Sequence, residues 1–98
     1  MQYTISLLPE AEKEKSKLAK IYQDDIEQTY ADIEEKGIIG ININSLGSKL
    51  YEIKAGKTRS IFKYKKGQII IVGVVFLKKS QETPLKIIQL AQKRLKEI

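Results

Sequence analysis

Of eighteen basic side chains in this sequence only two, Arg59 and Arg94, are arginines. Arg59 falls inside the alternating run Thr58–Tyr64, which reads as a strand. A guanidinium holds a phosphate through two parallel hydrogen bonds in fixed geometry, which an ammonium cannot do. Two roles fit Arg59: an ion pair with Glu52 across a hairpin, or a grip on a phosphate and on the charge that builds there in a transition state. Arg94 lies near the C-terminus and reads as a surface residue. Glu52 and Lys54 share one side of the preceding run, Leu50–Lys54. Glu52 is the one carboxylate on this basic sheet face, a candidate proton acceptor or else half of a cross-strand salt bridge. Lys54 would neutralise a phosphate. Lys78 and Lys79 follow an apolar run and open the segment K-K-S-Q-E-T-P, where a strand end beside a helix start suits an anion. Gln81 can hydrogen-bond a phosphate or a base edge, and Lys57 adds a cation in the turn before Thr58. The alternative for Lys78 and Lys79 is plain solvated loop charge. Tyr51 and Tyr64 could stack on bases; Tyr51 packs beside Ile53, whereas Tyr64, near a strand end, is the more open.

Other chemistries are excluded by what the chain lacks. It has no cysteine and no histidine, so disulfides, thiolate metal sites, imidazole acid–base catalysis and serine triads are ruled out. No glycine-rich phosphate loop is present. The apolar run IIIVGVVFL is half a membrane span, and the N-terminal residues lack the features of a signal peptide, so a cytoplasmic location is expected. Charge is sharply segregated. Residues 1–36 hold five lysines and nine carboxylates, net −4; residues 37–98 hold thirteen basic residues and three carboxylates, net +10. Such a field concentrates polyanions on one side of a molecule and points to a nucleic-acid or ribosomal partner.

The elements that would position these residues can be read in order. Residues 2–7 alternate as a half-buried strand. Pro9 opens a helical region that runs to Lys36, with an apolar stripe at Leu18, Tyr22, Ile26, Tyr30 and Ile33 and a C-cap at Gly37. Within it only Ile21–Asp25 offers a break, and no Gly or Pro marks one. Residues 37–49 read as a loop with a short extended piece. Three strands follow, Leu50–Lys54, Thr58–Tyr64 and Gln68–Leu77, joined by short glycine-containing turns that favour antiparallel hairpins. The last is apolar on both faces and should be the central, doubly covered strand, with Gly73 marking a bulge or a close backbone approach. Thr83 as N-cap and Pro84 at the first position start a basic amphipathic helix to Ile98. The expectation is one α+β domain over residues 1–98.

The sequence L-Y-E-I-K at Leu50–Lys54, the arginine-entered strand Thr58–Phe62, and F-L-K-K-S-Q-E-T-P at Phe76–Pro84 resemble the HigB-type, phage-related branch of the RelE/ParE toxin superfamily. The similarity is close from about Gly37 to Ile98 and rests on element order before that. It implies a RelE-like fold: an N-terminal strand and a helical hairpin packed on one face of a small, mostly antiparallel sheet, with a C-terminal helix. It implies a toxin of a type II toxin–antitoxin system that cleaves translated mRNA without a metal or other cofactor, with Arg59, Glu52, Lys54 and Lys79 catalytic and Lys78, Gln81, Tyr64 and Lys57 on the RNA. The partners implied are the ribosome, mRNA and a HigA-type helix-turn-helix antitoxin in a heterotetrameric assembly. Two other readings share the fold: a ParE-like gyrase poison without nuclease activity, and a degenerate module that only binds RNA or antitoxin.

Overall fold

The computed structural model describes residues 2–79 and 81–98. In order come β1 (Thr4–Leu7), α1 (Pro9–Ser16), α2 (Lys20–Lys36), β2 (Ile43–Gly47), β3 (Leu50–Ala55), β4 (Thr58–Lys65), β5 (Ile69–Leu77) and α3 (Leu85–Leu95). The strands form one sheet in the order β1-β5-β4-β3-β2. β1 runs parallel to β5, and every other pair is antiparallel. The extended piece expected within residues 37–49 is therefore a full edge strand. β5 is flanked on both sides and covered on both faces, but the middle position belongs to β4, because β1 adds beyond β5.

Helices cover both faces of the sheet. On one, Ile26, Tyr30 and Ile33 of α2, with Ala11 of α1, close over Ile53, Phe62, Ile70 and Val72. On the other, Ala91 and Leu95 of α3 pack on Leu50, Ile61 and Val74. Each large apolar side chain so buried contributes about 1.5–3 kcal/mol. Gly73 meets both expectations for a strand glycine. Ile61 faces Val74 and Phe62 faces Val72, which leaves Gly73 as the extra residue of a bulge. A Cβ at Gly73 would lie 2.8 Å from Leu95 Cγ, so only glycine lets α3 sit this close.

The helical region breaks at residues 17–19, ahead of Ile21–Asp25. Side chains make the break. Gln23 Nε2 donates to the carbonyls of Ser16 (3.3 Å) and Leu18 (2.8 Å), and the Ser16 hydroxyl donates to Lys13 O (2.8 Å). These bonds satisfy carbonyls that a continuing helix would have used, while Ala19 turns extended (φ −59°, ψ 151°). Gly37 closes α2 as expected, with φ 85° and its N–H on Ile33 O at 2.8 Å. The start of α3 differs from the sequence reading: Pro84 takes the cap position, the helix begins at Leu85, and no side chain caps it. Among the described residues no helix is long and apolar enough to cross a membrane.

Helix glutamates close the β1 side of the sheet. β1 has four residues and β5 nine, so β5 outruns its neighbour after Val72. There the Val75 N–H donates to Glu14 Oε1 (3.1 Å) from α1, and the Gly73 carbonyl accepts from Arg94 Nη1 (2.9 Å). On β1 itself, the Ile5 N–H donates to Glu34 Oε2 of α2 (3.0 Å).

Candidate functional site

The β3–β4 hairpin fixes the centre of the site. Ala55 faces Thr58 and Lys54 faces Arg59, leaving Gly56 and Lys57 as a two-residue turn. Gly56 has φ +61°, as the first position of such a turn demands, and a Cβ there would run into the Asp25 carboxylate of α2. The buried Thr58 hydroxyl donates to Ala55 O (2.7 Å) and locks the turn. The Lys78 N–H donates to Lys57 O (2.9 Å), drawing the chain beyond β5 against the hairpin tip. These links gather Lys54, Lys57, Arg59, Lys78, Lys79 and Gln81 around an open groove of about 540 Å³. Five of the six are cationic, and among the described residues no carboxylate lines the groove, so its field favours an anion although Glu52 and Asp25 lie close behind its wall. The sequence had singled out all six. Ser80 lies outside the described residues.

Arg59 is the most constrained member. Its Nη1 donates to Gly56 O (2.8 Å) and Thr58 O (2.7 Å), which folds the guanidinium back over the turn. Its Nε is buried with no hydrogen-bond partner; Glu52 Oε1 stands 3.8 Å away, near enough to pair in charge but beyond hydrogen-bond reach. The cross-strand ion pair with Glu52 is thus present, and Arg59 also forms a wall of the lysine groove.

Glu52 shares the sheet face of Lys54 and Arg59 but is buried there. It is 1 % exposed, at the floor of an adjoining groove that shares Lys54, Lys78 and Gln81 with the first and adds Asn44, Ser45 and Thr83. α3 and the segment leading into it roof this part of the sheet. The Thr83 hydroxyl donates to Glu52 Oε2, so Thr83 is spent on the carboxylate and not on a helix cap. Sequence reasoning missed this role, since the partners lie 31 residues apart and a Thr-Pro pair before a helix resembles a cap.

Tyr64 is not brought to the groove. It stands on the opposite face near the far end of β4, within an aromatic cluster of Tyr3, Tyr51 and Phe62, with ring centroids 5.0 Å from Tyr51 and Phe62. Burial, then the neighbouring Tyr3 and Tyr51, push its hydroxyl above the ordinary tyrosine range. Arg94 is not a surface residue either. Its Nη1 lies 3.0 Å from both carboxylate oxygens of Glu14 and 2.9 Å from Gly73 O, a clasp joining α3, α1 and the bulge. Among the described residues no cluster of carboxylates could hold a metal ion.

Over residues 4–96 the sequence matches the family described as phage derived protein Gp49-like. No curated protein matches it. Among solved structures, a mutant of the Escherichia coli toxin RelE in the free state is similar with a TM-score of 0.71 at 19% identity, covering 97% of this chain and 99% of that one. The RelE–RelB complex from Pyrococcus horikoshii gives 0.62 at 15% identity over 79% and 96%. The YoeB dimer from Staphylococcus aureus gives 0.59 at 17% over 82% and 99%. With the two-faced five-stranded sheet in view, this chain belongs to the phage-derived Gp49-like family and has the RelE-like toxin fold.

Proposed function

We propose that this chain is the toxin of a type II toxin–antitoxin pair, of the HigB-type branch, and that it cuts mRNA on translating ribosomes without a metal ion. The observation that carries the reading is the groove in which Arg59 and four lysines converge with no carboxylate on its walls. In the reaction the RNA 2′-oxygen attacks the adjacent phosphorus while the bond to the 5′-oxygen breaks. The products are a 2′,3′-cyclic phosphate and a 5′-hydroxyl, the proton of the attacking hydroxyl passing to the leaving oxygen directly or by exchange through solvent. Arg59 binds the scissile phosphate and the added charge of its transition state. Lys54, directly opposite Arg59, neutralises the same phosphate. Lys57, Lys78 and Lys79 hold flanking phosphates, and Gln81 meets a phosphate or base edge. With no histidine in the chain the acid–base set is weak. The ribosome's positioning of the message makes up for part of that, since alignment alone removes several kcal/mol of a barrier.

A solved relative is a toxin held in a RelE–RelB complex, which supports an antitoxin partner for this chain. We assign that partner to the HigA-type helix-turn-helix class, in a heterotetrameric complex. Action on translating ribosomes belongs in the bacterial cytoplasm. Primer extension on a reporter mRNA in a translation extract tests the reading. Cuts in register with codons, present only on translated message, are expected. An uncut message with translation still running removes the nuclease function, and loss of gyrase supercoiling in the same preparation would replace it with a ParE-like activity.

A further inference from the structure

Glu52 is the candidate proton acceptor by residue type, yet its surroundings suit another task. Both of its oxygens are engaged. Oε2 accepts the Thr83 hydroxyl, and Oε1 faces the buried, otherwise unpartnered Nε of Arg59 at 3.8 Å. At 1 % exposure the carboxylate offers a substrate hydroxyl no approach unless Thr83 is first displaced. A general base must come within hydrogen-bond reach of the proton it removes. Arg59, in contrast, needs what Glu52 supplies. Its Nη1 is tied to two backbone carbonyls, and a guanidinium held on one side only can swing about that tether. A negative charge at Nε fixes its plane and leaves its remaining edge for the groove.

Resting on the nuclease reading above, we propose that Glu52 is a positioning residue: Thr83 grips it, and it in turn fixes the Arg59 guanidinium for the scissile phosphate. The proton acceptor is therefore not Glu52. Thr83 enters the site as the residue that sets the orientation of the carboxylate, and it ties the roofing segment before α3 to the phosphate-binding arginine.

The test compares wild type with Glu52→Gln, Thr83→Val and Thr83→Ser. Cleavage rates are measured in the translation extract across pH, and the Nε–H signals of the two arginines by 15N NMR. Glutamine keeps an acceptor oxygen for Arg59 Nε and can turn its NH2 to the Thr83 hydroxyl, which then accepts, so Glu52→Gln should lose about tenfold in rate with the shape of the pH profile unchanged. Thr83→Val should lose a comparable factor through misplacement of Arg59, and Thr83→Ser, which restores the hydroxyl, should recover it. The Arg59 Nε–H signal should shift and exchange faster in Thr83→Val while that of Arg94 stays put, which also reports an intact fold. Inactive Glu52→Gln beside fully active Thr83→Val would make Glu52 the proton acceptor and overturn the proposal. If wild type cuts no message, the nuclease reading fails on its own. The NMR arm then still decides the geometry, since an Arg59 signal indifferent to Thr83→Val overturns it.

Discussion

The two arginines sit in regions built on opposite terms. Around Arg94, Nη1 alone has three acceptors, both Glu14 oxygens and the Gly73 carbonyl at 2.9–3.0 Å, and the side chain is 17% exposed. Around Arg59 exposure is nearly the same, 15%, but Nε has no partner and the nearest carboxylate oxygen is 3.8 Å off. Burial therefore does not separate them; saturation does. A guanidinium whose neighbours fill its donors in good geometry is a strut. Arg59, with a buried donor facing a carboxylate beyond hydrogen-bond reach and a groove of lysines beside it, is held less firmly.

The largest test of that contrast is Arg59→Ala. Growth inhibition and mRNA cleavage per folded molecule should fall by about a hundredfold or more, and stability should fall as well, because the buried Glu52 loses its counter-charge. A folded Arg59→Ala protein of normal toxicity would take Arg59 out of the mechanism and erase the contrast. Arg94→Met should cost stability alone. Losing the clasp leaves the Gly73 carbonyl and the Glu14 carboxylate short of a partner, for about 2 kcal/mol less stability in urea unfolding, with activity per folded molecule retained. Equal effects of the two substitutions on activity per folded molecule would show that saturation is the wrong criterion. Lys78→Gln combined with Lys79→Gln should weaken single-stranded RNA binding about fivefold at moderate salt. It should also reduce the slope of log affinity against log salt by roughly 1.4, about 0.7 per phosphate contact. An unchanged slope would return both lysines to solvent. The smallest effect belongs to Tyr30, whose hydroxyl bonds the Ser60 hydroxyl at 2.6 Å on the face opposite the groove. Burial pushes its ionisation well above the ordinary tyrosine value. The unfolded chain thus loses this proton first, near pH 10, and stability drops as pH rises further, by about 0.8 kcal/mol at pH 10.5. Tyr30→Phe should flatten that alkaline decline without altering RNA binding, although Ser60 adjoins Arg59. An identical decline in both proteins would mean that Tyr30 ionises freely in the fold.

The groove was legible because local rules decide it. A two-residue glycine turn sets Lys54 opposite Arg59, and alternation then fixes which side chains share their face. The same alternation puts Tyr64 with Ser60 and Phe62, across the sheet from Arg59, so its absence from the groove was readable too. What escaped the sequence depends on partners far along the chain. Arg94 looked like surface because Glu14 lies 80 residues away. Thr83 looked like a cap because Glu52 is on another element. The break at residues 17–19 is made by Gln23, a side chain that carries no turn signature. The RelE-like architecture came through as expected, but the burial of Glu52 under α3 and the segment before it depends on contacts the local pattern does not show.

The plugging of the β1 side by Glu14, Glu34 and Arg94 has a consequence for assembly. Strand edges recruit other strands, and a sheet with two free edges can polymerise without limit. Here the N–H groups of Ile5 and Val75 are already taken by helix carboxylates, so added strands are turned away from that side. The remaining edge is β2. Two copies joined there would each use up their open edge, and growth would halt at a pair. Two glutamates and an arginine outside the lysine groove thereby cover the edge from which a fibre could otherwise grow.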